Sequence, residues 1–151
     1  MDENKHYVLN SLWLEKLRHY VKSFYKTIYL GPPIFLLLNV MVCFSLQKGS
    51  VINFWIIYIP LTVASTAFCI CLPLKAIKRY KNIVHTFELK NGEEIKLTLI
   101  DDRVLTLTQY NIKDTFFRVG NVEKASKSIV DKSEGHEYII IPEFFTLLPT
   151  F

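Results

Sequence analysis

Cys69 and Cys71 are two potential thiolate ligands placed two residues apart, and with Cys43 they make up the three cysteines of this 151-residue chain. On a helix that separation turns the side chains roughly 200° from one another, so the pair cannot grip one metal ion without unwinding. All three lie inside apolar runs, where cysteine behaves as a small hydrophobe, and they define no disulfide framework. Asp101 and Asp102 are adjacent carboxylates, the residue type an acid/base pair needs, but with Arg103 they fall between two alternating apolar stretches and read as a turn. The four histidines, His6, His19, His85 and His136, are scattered over separate segments, and His85 reads as a strand residue at a membrane edge. No Gly-rich phosphate loop, GxSxG or HExxH occurs. The expectation is a protein that is not an enzyme, with no catalytic residue, no bound metal or cofactor and no evident small-molecule substrate.

Asn39 is the polar group whose setting is most unusual, because residues 27–47 carry no charge, and neither do residues 49–74. Each run exceeds the roughly 20 residues that cross about 30 Å of hydrocarbon as helix. A soluble helical hairpin would need a protein shell on every side, which the rest of so short a chain cannot supply. Two transmembrane helices are therefore expected, over 27–47 and 51–74, joined by a short outer turn at 48–50. Gly31, Pro32 and Pro33 should open the regular part of the first, with a kink near Pro33 and Tyr25 and Tyr29 at headgroup level. Phe54, Trp55 and Tyr58 form an aromatic belt at the start of the second, Pro60 bends it and Pro73 marks its exit.

Thr62, Ser65, Thr66 and Cys69 share one face of the second span, widened by Ala64 and Ala67 into a strip of small side chains that lets another helix approach. Counted outward from the turn at equal rise, Asn39 lies at the depth of residues 58–62. An amide there requires a partner, across the hairpin or on another helix. No Asp, Glu, Lys, Arg or His accompanies it, which argues against a proton relay.

Net charge is +4, and its placement says more than its sum. Lys5, Lys16, Arg18, Lys22 and Lys26 precede the first run, Lys75, Lys78, Arg79 and Lys81 follow the second, and only Lys48 lies between. The positive-inside rule then sets both termini on the cytoplasmic or matrix side. Basic residues beside apolar spans suit a membrane surface rather than nucleic acid. Leu9, Trp13, Leu17, Tyr20, Phe24 and Ile28 recur every three or four residues, so residues 1–26 read as a basic amphipathic helix. Acids at Asp2, Glu3 and Glu15 argue against a cleaved targeting peptide.

From residue 82 the apolar period becomes two, and 82–151 read as a small antiparallel β-domain on the inner side. The alternations at 85–89, 95–99 and 105–107 make three strands of a meander. A Lys90-Asn91-Gly92 loop would set Phe87 opposite Ile95 and His85 opposite Leu97 while keeping one apolar face. A fourth strand is expected at 115–119, a mobile loop at 121–136 and a last buried strand at 138–141, stopped by Pro142. So small a core should lean on the membrane, the basic helix or another subunit, and Phe144, Phe145 and Phe151 in the tail "PEFFTLLPTF" are the expected partner contacts.

The segment "HEYIIIPEFF" resembles the closing strand of bacterial two-span membrane proteins with a pleckstrin-homology-like β-domain, although the aromatic-Ser-Asp/Glu motif of that family is absent. The plan of the chain, from basic N-terminus through a tight hairpin to a β-domain starting near "KRYKNIVHTFELKNGEEIKL", is similar to small mitochondrial inner-membrane proteins that include respiratory-chain assembly factors. The second resemblance implies an accessory subunit or assembly factor whose partners are the bilayer and other subunits of a membrane complex. The first implies a membrane-anchored lipid- or ligand-binding domain. A quinone or haem site between the spans has only Tyr58 and nearby aromatics to recommend it.

Overall fold

The computed structural model describes residues 5–46, 51–90 and 94–146. A short strand β1 (Lys5–Val8) precedes two long helices, α1 (Ser11–Leu46) and α2 (Val51–Lys81). Six strands follow, β2 (Val84–Lys90), β3 (Glu94–Leu99), β4 (Val104–Leu107), β5 (Tyr110–Val119), β6 (Val122–Asp131) and β7 (Glu137–Ile140), then a 3-10 turn at Pro142–Phe144. The chain forms two compact units, the helical hairpin Tyr20–Lys78 and a β-domain built from Met1–His19 and Arg79–Phe151.

Asn10 starts α1: its side-chain oxygen accepts the Leu12 amide proton at 3.0 Å and its carbonyl accepts that of Leu14 at 3.0 Å. The helix then runs unbroken through Gly31, Pro32 and Pro33, which were expected to open the regular part of the first span. Prolines at 32 and 33 remove only the hydrogen bonds to the carbonyls of Ile28 and Tyr29, and the intact turns on both sides hold the remainder. Helix α2 likewise continues past Pro60 and Pro73, the expected exit, to Lys81, because Lys75, Ala76, Lys78 and Arg79 are strong helix formers. The periodic set from Trp13 to Ile28 lies on the more buried side of α1. Residues 5–8, expected within that helix, are instead a strand.

All strand pairs are antiparallel, in a four-stranded sheet of order β1-β2-β3-β4 and a three-stranded sheet of order β5-β6-β7. The meander expected at 85–107 is β2, β3 and β4. Its first register differs from expectation: Phe87 faces Leu97, Leu89 faces Ile95 and Lys90 faces Glu94. A slip of two leaves every apolar side chain on its intended face, which explains why patterning alone could not exclude it. The connecting residues 91–93 lie outside the described residues. His85, expected opposite Leu97, falls at an irregularity between Val84 and Thr86.

The largest correction is in the second sheet. Residues 121–136, expected to be a loop, contribute the ten residues of β6, paired along their length with a β5 that starts five residues before the expected strand. Gly120, at φ 60, supplies the positive φ that the two-residue turn between them requires. The polar stretch Glu123–Ser128 reads as loop because its alternation is hidden, with Ser126 and Ser128 taking buried positions normally held by apolar residues. Phe87, Ile95, Leu97, Leu99, Phe117, Ile129, Ile140, Ile141 and Phe144 form the core, joined by Leu17 of α1. The small core thus does lean on its own basic helix.

Candidate functional site

Within the helical hairpin, Asn39 is 5% exposed, and its amide nitrogen donates to Ser65 Oγ at 2.9 Å and to Thr62 Oγ1 at 3.4 Å. Ser65 in turn donates to the Thr62 carbonyl at 3.1 Å, so its hydroxyl accepts from one helix while donating within the other. The expected depth of residues 58–62 falls just short of Ser65, the closer partner. Cys69 is buried and Thr66 half-buried on the same side of α2. Ala64 and Ala67, expected to widen this strip, are exposed.

One turn further along, a β-carbon added at Gly31 would stand 3.3 Å from both Cβ and Sγ of Cys69. Gly31 therefore permits the close helix approach that puts Asn39 within hydrogen-bond reach. From its place before Pro32 and Pro33 alone, this glycine reads only as an opener of the helix. Toward the turn, Phe44 of α1 meets Phe54 of α2 with ring centroids 5.2 Å apart, and Phe54 stacks on Tyr58 at 5.3 Å. The corner at 48–50 lies outside the described residues.

The polarity of the hairpin is inverted relative to a water-soluble one. Asn39, Cys43 and Cys69 are buried at the seam, whereas Tyr29 (76% exposed), Leu37 (70%), Met41 (67%), Phe44 (66%) and Ile56 (64%) point outward. Both helices are long and apolar enough to span a membrane. The hydrogen bonds from Asn39 to Ser65 and Thr62 hold the two helices together along this strip.

Residues expected on partner surfaces prove to be interior. Phe144 is fully buried and stacks on Trp13 with centroids 3.9 Å apart, and Phe145 is buried edge-on to Phe87 at 5.5 Å. The amphipathic face of α1 and the aromatic tail satisfy each other, because a domain this small gains more by burying its own aromatics than by leaving them in water. Phe151 lies outside the described residues. Of the basic cluster, Lys75, Lys78 and Arg79 are exposed and Lys81 is half-buried.

Asp101 and Asp102 belong to a turn, as their neighbours suggested. Asp101 pairs with Arg103 at 2.8 Å, and Asp102, at φ 65, takes Arg18 in a two-pronged pair at 2.9 and 3.2 Å. His85 Nδ1 is buried without a hydrogen-bond partner among the described residues, and burial, with help from the Arg18 guanidinium, lowers the pKa of its imidazole against a smaller opposing pull from Asp102. The hydroxyls of Ser126 and Ser128 are likewise buried and unpaired among the described residues. Hydrogen bonds from the Ser133 hydroxyl and amide hold the Asp131 carboxyl below the ordinary carboxylate range. Cys69 is buried and Cys71 exposed, so the two thiols do not converge. Among the described residues no three His, Cys, Asp or Glu side chains gather as a metal site.

The chain matches no protein-family model, no curated protein and no solved structure.

Proposed function

We propose that the chain is an integral membrane protein whose two spans anchor a β-domain on the inner side, and that it is a non-catalytic accessory subunit or assembly factor of a larger membrane complex. The observation that carries the membrane reading is the inverted polarity of the hairpin: an amide and thiols inside, large apolar side chains outside. In water that arrangement exposes the groups that most favour burial, whereas in hydrocarbon it satisfies every group. The distribution of lysine and arginine supports both termini facing inward. The plan of the chain resembles mitochondrial inner-membrane proteins of the respiratory chain, which makes the matrix the corresponding compartment.

The small-residue strip and the tail residues Phe144 and Phe145 are occupied within the chain. Partner binding therefore falls to the outer sides of the two spans and to the exposed surface of the β-domain. The test has two parts. The protein should resist alkaline extraction from membranes, and a Ser50→Cys thiol should react with an impermeant maleimide from the side opposite a Lys132→Cys thiol. Gentle detergent extraction from the native membrane should then recover the protein in a complex larger than itself. Migration alone under those conditions refutes the subunit role, and reaction of both thiols from one side refutes the two-span topology.

A further inference from the structure

Strand β5 is the long edge of its sheet, with β6 on one side and, among the described residues, no strand on the other. The remaining edge strands, β1, β4 and β7, are four residues each, short enough to offer another chain little ladder, whereas β5 has ten. Val119 and Val122 close the two-residue turn by bonding to each other, so in the alternation of an antiparallel ladder Thr115 and Phe117 also bond to β6. The intervening residues Asp114, Phe116 and Arg118 then turn their amides and carbonyls to the open side. The Arg118 carbonyl fits this phase: it accepts the Tyr80 hydroxyl at 3.4 Å, from outside the sheet, and keeps a second lone pair.

The side chains of these three residues share one face of the hairpin with their partners on β6. Phe116 is 68% exposed, and Ala125 opposite it is too small to cover the ring. Asp114 stands opposite Lys127, with an ion pair at 3.3 Å, and Arg118 stands opposite Glu123. Along the strand an acid, an uncovered aromatic ring and a base therefore follow at every second residue.

Such a row is complementary to an antiparallel copy of itself. With a twofold axis at Phe116, ring meets ring, Asp114 meets the partner's Arg118, and Arg118 meets the partner's Asp114. Across four strands the charges alternate in sign, from Lys127 to Asp114 to the partner's Arg118 to the partner's Glu123, while Ala125 on each flank leaves room for the two rings. Neighbouring registers lose this match. An axis at Lys113 or Asp114 sets like charges against each other, and an axis at Thr115 sets Asp114 against the partner's Phe116.

We propose that β5 pairs edge to edge with β5 of a second copy of this chain, antiparallel and centred on Phe116, so that one sheet runs through both β-domains. The charges beside Phe116 then do two things: they select this register and they repel strands that cannot match them. The contact lies wholly within the β-domain and is independent of the two-span reading and of any other subunit.

The test is sedimentation equilibrium of the full chain, purified without other proteins in mild detergent. The wild type should form a dimer that dissociates on dilution. Asp114→Arg and Arg118→Asp each set like charges across the axis, and each should raise the dimer Kd about tenfold or more. An equimolar mixture of the two reversed chains, in which every Asp faces an Arg, should recover the dimer, which also shows that both variants fold. Cysteine scanning locates the axis separately. Cys43 and Cys69 are buried, so in a Cys71→Ser background single cysteines replace residues 113, 114, 115 and 116 in turn. Oxidation should give most disulfide-linked dimer with Phe116→Cys, whose two Cα atoms face each other at about 5.5 Å, and least with Lys113→Cys, whose copies lie about 20 Å apart. A wild type that stays monomeric at every concentration, a mixture that stays apart while the wild type dimerises, or a disulfide maximum away from 116 overturns the inference. None of these results bears on the subunit role, which is read from a complex larger than the dimer in extracts of the native membrane.

Discussion

Removing the clasp between the two long helices is the most direct test of how the hairpin is held. Asn39 Nδ2 reaches Ser65 Oγ at 2.9 Å and Thr62 Oγ1 at a marginal 3.4 Å, so nearly all of its contribution runs through Ser65. Asn39→Ala leaves Ser65 its own bond to the Thr62 carbonyl, whereas Ser65→Ala removes both bonds and orphans the amide. The two changes should not add. Interhelical hydrogen bonds in bilayers are worth about 1 kcal/mol, because the separated helices find other partners, so a double-mutant cycle should return a coupling of about that size, a factor of about five in the folding equilibrium. The assay is reversible denaturation of the full chain in bicelles, followed by helicity and by a distance label across the hairpin. Single variants that fold, with a cycle that closes to zero within error, would refute the clasp. Loss of helicity in Asn39→Ala alone would show instead that the amide supports α1 locally.

Other outcomes follow from contacts of the same kind. Gly31→Leu should force the helices apart at Cys69, since even a β-carbon there lies 3.3 Å from it, while Gly31→Ala should be tolerated better in a Cys69→Ala background; the distance label across the hairpin reads both. Phe144→Ala should cost the β-domain about 3–5 kcal/mol, because the fully buried ring stacks on Trp13, whereas exposed Phe116→Ala should change the stability of the dilute monomer by less than about 0.5 kcal/mol; chemical denaturation distinguishes them. His85 has a folded pKa below its ordinary 6.5, so the stability it contributes is complete above that value and is lost as pH falls below it toward the folded pKa. A pH series of thermal unfolding should show this decline, and His85→Gln should flatten it. Asp102→Ala should cost less than about 1 kcal/mol, since the pair with Arg18 is solvent-exposed, and added salt should shrink the difference between the two proteins.

Features set by local composition were legible in the residues themselves. Uncharged length, the polar side chains of the seam and the side of α1 that turns inward follow from counting at 3.6 residues per turn, because every helical hydrogen bond is made within a few residues of sequence. The same holds for the meander of β2, β3 and β4, whose alternation survives a register slip of two. The prolines misled because proline's cost was weighed without the intact turns on either side.

What only the tertiary structure decided depends on groups far apart in sequence. Strand β1 exists because Lys5–Val8 pairs with β2, Tyr7 lying on Phe87 at 4.6 Å, a contact no short-range pattern announces. Strand β6 is polar by composition and extended by partnership, flanked on both sides by β5 and β7. Phe144 and Phe145 read as an interface until Trp13 is brought to Phe144 and Phe87 to Phe145. A sequence records how much apolar surface must be covered, but which neighbour covers it is settled only when distant segments compete for the same few contacts.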